Sequence, residues 1–270
     1  MVVLVHGQAE HVDRYDFMAR RWNEMGAMVF GPDHRGQGKS GGSPGHVESF
    51  SQYASDLRSL MQKVAAESPG AGPKDIPWFL FGHSMGGLIT VTYLIDNLED
   101  PELPLRGAIV SAPLFGVAVK VNPIKQLAAK VMVHVAPRVA LDPNMDPGLI
   151  CRDAKEVEIY KNDPRRTKVV SSGWARAMDD GIARARRELH RIKIPMLWYV
   201  GTGDLICDHH ETIAAFEALD RPAERDQTLR VFEGYHHELH NEPADLRAPI
   251  HEMIDAWLLE RVDGPAAKPA

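Results

Sequence analysis

The chain has 270 residues, 44% hydrophobic and 25% charged, which is ordinary for a soluble globular domain and enough to bury a sizeable core. A formal net charge of −6 argues against a nucleic-acid partner, and any membrane contact must then be apolar or locally basic. Two cysteines, Cys151 and Cys207, make no disulfide framework in a chain this long; with no bilayer-length apolar run and no signal peptide, a reducing cytoplasmic setting is the expectation.

From the N-terminus, "VVLVHG" is a β-branched apolar run ended by glycine, the pattern of a strand buried on both faces. "DRYDFMARRWNEMG" has helical spacing through Tyr15, Met18, Trp22 and Met25 and stops at Gly26, after which "AMVFGPD" predicts a second strand. The stretch "HRGQGKSGGSPGH" reads as a glycine-rich loop. A helix is expected from about Phe50 to Ala66, then a strand over "IPWFLFGH", an apolar helix over "MGGLITVTYLIDNL" and a strand over "RGAIVSAP". Alternation stops at Leu114. It resumes with the strand "IPMLWYVGTGD", the helix "HHETIAAFEAL", the strand "TLRVFEG" and the helix "IHEMIDAWLLE".

Strands and helices in this order imply an α/β architecture, a parallel sheet with helices on both faces. The segment that interrupts them holds helical spacing over 123–136, a proline-rich turn "LDPNMDPG", and helices over "DAKEVEIY" and "GIARARRELH". We read 1–113 and 191–262 as the core, 114–190 as an inserted helical cap, and 263–270 as a disordered tail. The apolar face of helix 123–136, with Lys125, Lys130 and Arg138 nearby, fits either packing over a site or docking on an anionic membrane surface.

"GHSMG", Gly82 to Gly86, follows a strand and opens a helix, the setting of a nucleophile elbow. Ser84 would occupy a strained turn, and the positions two before and two after must be tiny because strand and helix converge there. A serine hydroxyl needs a base, and the base needs a carboxylate to set its tautomer. Asp204 is the first carboxylate past a buried strand and is preferred over Asp208, Glu233 and Glu238. The backbone N–H groups of Met85 and Gln8 are the expected oxyanion donors. The base lies in "GYHHELHNE", whose residues alone leave His236, His237 and His240 open.

Two rivals come from other classes. A metal site on His236, Glu238 and His240 fails the zinc-protease spacing, and His209 and His210, as neighbours on a helix, should point apart. A non-catalytic binding protein on the same fold is disfavoured because every position of the triad is filled.

From "VHGQAEHVDRY" through "DHRGQGKS", "GHSMGG", "SAPL", "AAKVMVHVAP", "EVEIYKNDP" and "GTGDLICD" to "FEGYHHELHNE", the sequence resembles the monoacylglycerol lipases and lysophospholipase-like serine hydrolases of the α/β-hydrolase fold. The resemblance implies Ser84 as nucleophile, Asp204 as acid and His237 as base, with Gln8 and Met85 at the oxyanion. It further implies a glycerol pocket of Glu10, Arg14, Tyr160 and His240, a lipid ester substrate, and no metal or organic cofactor. Cys207 matches a cysteine beside the family's acid, and a small buried hydrophobe is its simpler role. Broader carboxylesterase, lysophospholipase or acyltransferase activity stays open, since the triad selects esters and the pocket selects the alcohol. Two departures stand out: Gln8 and Ala9 stand where the family often has a small residue and glycine, and the family's β-hairpin before the first strand is not seen; either the sequence begins late or the two strands are lacking, and the second case would leave "AMVFGPD" at a sheet edge.

Overall fold

The computed structural model describes residues 1–98, 100–118, 132–220 and 222–262. The tail at 263–270 and most of the expected helix 123–136, including Lys125 and Lys130, lie outside these residues.

Six strands form one sheet: β1 (Val2–Val5), β2 (Val29–Phe30), β3 (Phe79–His83), β4 (Gly107–Ser111), β7 (Met196–Gly201) and β8 (Gln227–Phe232). Their order is β2-β1-β3-β4-β7-β8, every neighbouring pair is parallel, and β2 stands at one edge. Between β4 and β7, two short strands, β5 (Ala140–Leu141) and β6 (Val170–Ser171), pair antiparallel.

The contiguous apolar runs follow from burial on both faces. In β1, Val3 and Val5 join one core cluster while Val2 and Leu4 join the other; in β7, Met196 and Trp198 oppose Leu197 and Tyr199 in the same way. Successive side chains of a strand point to opposite faces, so a strand covered on both sides shows no polar alternation. On one face lie α2 (Phe50–Glu67) and α3 (Met85–Asp96); on the other, α1 (Asp16–Glu24) and α7 (Ala244–Val262) supply Met18, Trp22, Ile250, Ile254 and Trp257.

The segment between β4 and β7 divides in two. Helix α4 (Ala154–Asn162), capped by Asp153, belongs to a small cluster of Ile150, Cys151 and Tyr160 that reaches Ile206 beyond β7. Helix α5 (Ser172–Glu188), capped by Ser171, shares the main core through Trp174, Ala177 and Ala185. Its Trp174 indole N–H donates to the Tyr53 hydroxyl of α2 at 3.2 Å, and Arg184 pairs with Asp96 at the end of α3. Residues 172–188 are thus a layer of the core, and 150–166 lie over the ends of the strands.

Candidate active site

β3 runs into α3 (Met85–Asp96) through Ser84, whose φ of 55° and ψ of −119° are costly for a residue with a Cβ. The surroundings hold this conformation. The Ser84 N–H donates to the Ser111 carbonyl at 2.9 Å, and its own carbonyl accepts from the N–H of Leu114 at 3.0 Å. Glycine is required on both sides: a Cβ on Gly82 would lie 2.3 Å from Thr90 Oγ1, and one on Gly86 1.9 Å from the Val5 carbonyl oxygen.

Past the ends of β7 and β8 stand Asp204 and His237, both buried. His237 Nδ1 donates to Asp204 Oδ2 at 2.7 Å, which leaves Nε2 as the ring's free nitrogen. Asp204 Oδ1 accepts from the N–H groups of Ile206 and Cys207 at 2.8 and 3.0 Å, fixing the carboxylate's second oxygen. Burial disfavours the imidazolium, but the charge and hydrogen bond of Asp204 outweigh it and hold His237 above its ordinary value. Cys207 joins this pair to the serine. A carboxylate oxygen of Asp204, Cys207 Sγ and a ring nitrogen of His237 lie within 4.8 Å of one another, and Cys207 Sγ is 3.8 Å from Ser84 Oγ. Burial pushes the Cys207 thiol well up, so it sits there as a neutral group.

Gln8 and Met85 lie on the two backbone segments that meet at this serine: Gln8 follows β1, and Met85 opens α3, where the first N–H groups have no partner within the helix. The loop after β1 is held by residues that the sequence reading passed over. Gln37 Oε1 accepts from the Ala9 N–H at 3.0 Å, and Ala9 has a φ of 60°, in the left-handed region that favours glycine. His6 Nε2 accepts from the His34 N–H at 3.0 Å, so its Nδ1 carries the proton and donates to the Gly7 carbonyl at 2.8 Å. Burial lowers His6 to about 3 and His34 well below its ordinary value, so both are neutral scaffolding. A signal for Gln37 was present: it lies between Gly36 and Gly38, whose φ values of 73° and 53° turn the loop tightly around it.

The four residues of the expected glycerol pocket are brought together, but as a buried, internally paired group. Arg14 donates to Glu10 Oε2 at 2.7 Å and to both oxygens of Glu238 at 2.7 and 2.8 Å. Glu10 also accepts from the Tyr15 hydroxyl at 2.8 Å and from the Gly7 N–H. Tyr160 meets two guanidinium groups over its ring, Arg14 at 4.7 Å and Arg166 at 3.5 Å from its centroid. The His240 ring stacks on Tyr15 and meets Phe81 and His83 edge-on; burial lowers it to about 3. Glu10, Tyr160 and His240 are each 2% exposed or less, about as enclosed as Asp204 and His237, and two carboxylates and one arginine satisfy one another within the group. Burial pushes both carboxyls up; Arg14 outweighs it at Glu238, brought down to about 2, but not at Glu10, which stays raised.

The rival metal set does not converge. Glu238 is committed to Arg14 and Asn241, His240 lies in the core, and the His236 N–H donates to Glu242. One expectation needs correction: His209 and His210 do not point apart but lie together, ring centroids 4.0 Å apart and planes tilted by 37°, where Asp208 caps the first turn of α6 (His209–Glu217).

The strand order, the wholly parallel register and the strained serine turn between strand and helix are those of the α/β-hydrolase fold. The chain belongs to the Hydrolase_4 family, described as serine aminopeptidase S33, whose model matches residues 1–244. It is 34% identical to a monoacylglycerol lipase of Mycolicibacterium smegmatis, over 97% of this chain and 89% of that protein. It is 30% identical to the Homo sapiens monoglyceride lipase, over 97% of this chain and 82% of the relative. Among solved structures, the Paleococcus ferrophilus monoacylglycerol lipase superposes with a TM-score of 0.83 at 30% identity, covering 96% of this chain and 94% of that one.

Proposed function

We propose that this carboxylic ester hydrolase cleaves monoacylglycerols through an acyl-enzyme on Ser84. The observation that carries the reading is a strained serine at the β3–α3 turn, joined through Cys207 to the Asp204–His237 pair. The relatives named above support the substrate class.

In this mechanism His237 Nε2 takes the Ser84 proton as Oγ attacks the ester carbonyl, and Asp204 stabilises the imidazolium that forms. The N–H groups of Gln8 and Met85 receive the oxyanion. His237 then protonates the departing glycerol, and water activated by the same histidine releases the fatty acid. The buried Glu10–Arg14–Glu238 group joins the loop after β1 to the loop that carries His237, and Tyr160 and His240 pack against it. Their part is to support the site's shape. A peripheral lipid contact through the inserted segment is part of this reading, supported by exposed Val135, Val139 and Leu141. Among the described residues no helix is long and apolar enough to cross a membrane.

The test is hydrolysis of mono-, di- and triacylglycerols and of a short p-nitrophenyl ester by one preparation. Ser84→Ala should reduce kcat on a monoacylglycerol by at least about a thousandfold. His237→Ala should do the same and His236→Ala should not. Retention of the wild-type rate by Ser84→Ala would overturn the mechanism, and preference for the aryl ester would point to a broader carboxylesterase.

A further inference from the structure

The side chain of Gln8 ends in a donor that the protein does not use. The chain of hydrogen bonds leading to it allows a single orientation. The Ala9 backbone N–H can meet only the oxygen of an amide, so the Gln37 carboxamide is set with Oε1 toward Ala9 at 3.0 Å and its NH2 on the other side. Gln37 Nε2 donates to Gln8 at 2.8 Å, so Gln8 must present Oε1 there and turn its own NH2 away. Gln37 is 1% exposed and its Nε2 also approaches Met85 Sδ at 3.8 Å, so this relay lies against both residues of the oxyanion pair. Gln8 Nε2, at its end, is buried and has no acceptor. A buried donor without an acceptor is costly, and a ligand that supplies one recovers that cost.

The chemistry of an acyl ester limits which ligand oxygen this is. An acyl chain carries no acceptor beyond its carbonyl, and on the reading above the carbonyl oxygen is held by the backbone N–H groups of Gln8 and Met85. The remaining acceptors are in the alcohol part. We propose that the side-chain amide of Gln8, aimed by Gln37, donates to a free hydroxyl oxygen of the substrate alcohol and so favours polyol esters over simple alkyl esters. This rests on Ser84 being the nucleophile. Gln8 is then a specificity-determining residue through its side chain, independent of its backbone N–H, and Gln37 is a positioning residue.

The experiment compares kcat/KM for 1-decanoylglycerol with that for methyl decanoate, which has the same acyl group and no free hydroxyl. In Gln8→Met, which keeps the backbone N–H and nearly the shape, the ratio of the two should fall about tenfold, chiefly through KM for the glyceride. Gln37→Met should lower the ratio in the same direction, because the Gln8 amide loses its aim. Gln8→Asn, too short to span both partners, provides a second variant at the position. Labelling by a fluorophosphonate confirms that each variant has an assembled serine site. An unchanged ratio in labelled variants, including one in which both rates fall together, would overturn the assignment. A wild type that neither labels nor cleaves either ester would instead overturn the functional reading on which it rests.

Discussion

His237 carries the clearest pH signature of any single residue. Burial disfavours its charged form, yet Asp204 at 2.7 Å holds it above the ordinary value of 6.5, and a general base acts only when neutral. Esterase kcat/KM should therefore fall as pH drops through a midpoint above 6.5. In Asp204→Asn the burial penalty loses its largest opposing charge, with Glu238 and Glu10 left as lesser ones, so the residual activity should titrate at lower pH. A pH–rate profile of both proteins checks this, and a wild-type midpoint below 6.5 would contradict the assignment. The places of Ser84, directly after β3, and Asp204, just past β7, were legible from the buried apolar runs before them and the glycines around the serine; their roles belong to the proposed mechanism. His237 was separable from His236 only through the family pattern, since both follow the same strand within one residue. Gln37 was legible only as the centre of a tight turn between two glycines; its contacts with Gln8 and Ala9, 29 and 28 residues away, are encoded by no local pattern.

At the scale of elements, Arg14 joins the segment between β1 and α1 to the loop after β8 by bonding Glu10 and Glu238 at once. Removing it leaves two buried carboxylates without a cation. Arg14→Met should lower unfolding free energy by about 3–5 kcal/mol near neutral pH. The sign of its pH dependence follows from linkage. Without Arg14 both carboxyls are raised by burial and mutual repulsion, so the folded state gains stability by taking up protons, and the deficit should shrink as pH falls through the carboxylate range. Urea unfolding of both proteins at neutral and mildly acid pH measures the deficit; a constant difference would exclude the electrostatic account. Element types were legible from periodicity, and boundaries less so. α7 begins at Ala244 and continues through Pro249, although the apolar pattern starts only at Ile250. The strand expected over "AMVFGPD" shortens to Val29–Phe30, because only these two residues pair with β1. The polar pattern at 181–190 proved to be the end of a longer helix, α5, whose Trp174 and Ala177 face the core.

Across the molecule, His6, His34, His83 and His240 are all buried and all lowered below their ordinary value, His6 and His240 to about 3. Burial is the leading cause in each. Such groups remain neutral in the folded state and take up protons on unfolding, so stability is present above pH 6.5 and is lost as pH falls below it. Each should contribute at most about 1.4 kcal/mol per pH unit in that window; His237, whose value is raised, acts mainly above pH 6.5 and opposes them little. The denaturant midpoint should therefore drop steeply between pH 6.5 and 5, and a flat profile would refute it. At this scale the sequence was most informative. Alternation of strand and helix specified a parallel sheet, and its interruption at Leu114 marked the long segment between β4 and β7. It did not reveal that α5 returns to the core layer, because an apolar helix face reads the same whichever surface it covers. The bond between Arg14 and Glu238 has a consequence of another kind: it closes across 224 residues of chain. During synthesis the first half emerges with its serine turn and the loop after β1, but with Arg14 lacking its second carboxylate and with no base. Contacts this distant form late because loop closure comes before their reward. On the proposed mechanism the nascent chain has no means of cleaving an ester until the strand before His237 has docked, and the same event gives Arg14 its second carboxylate.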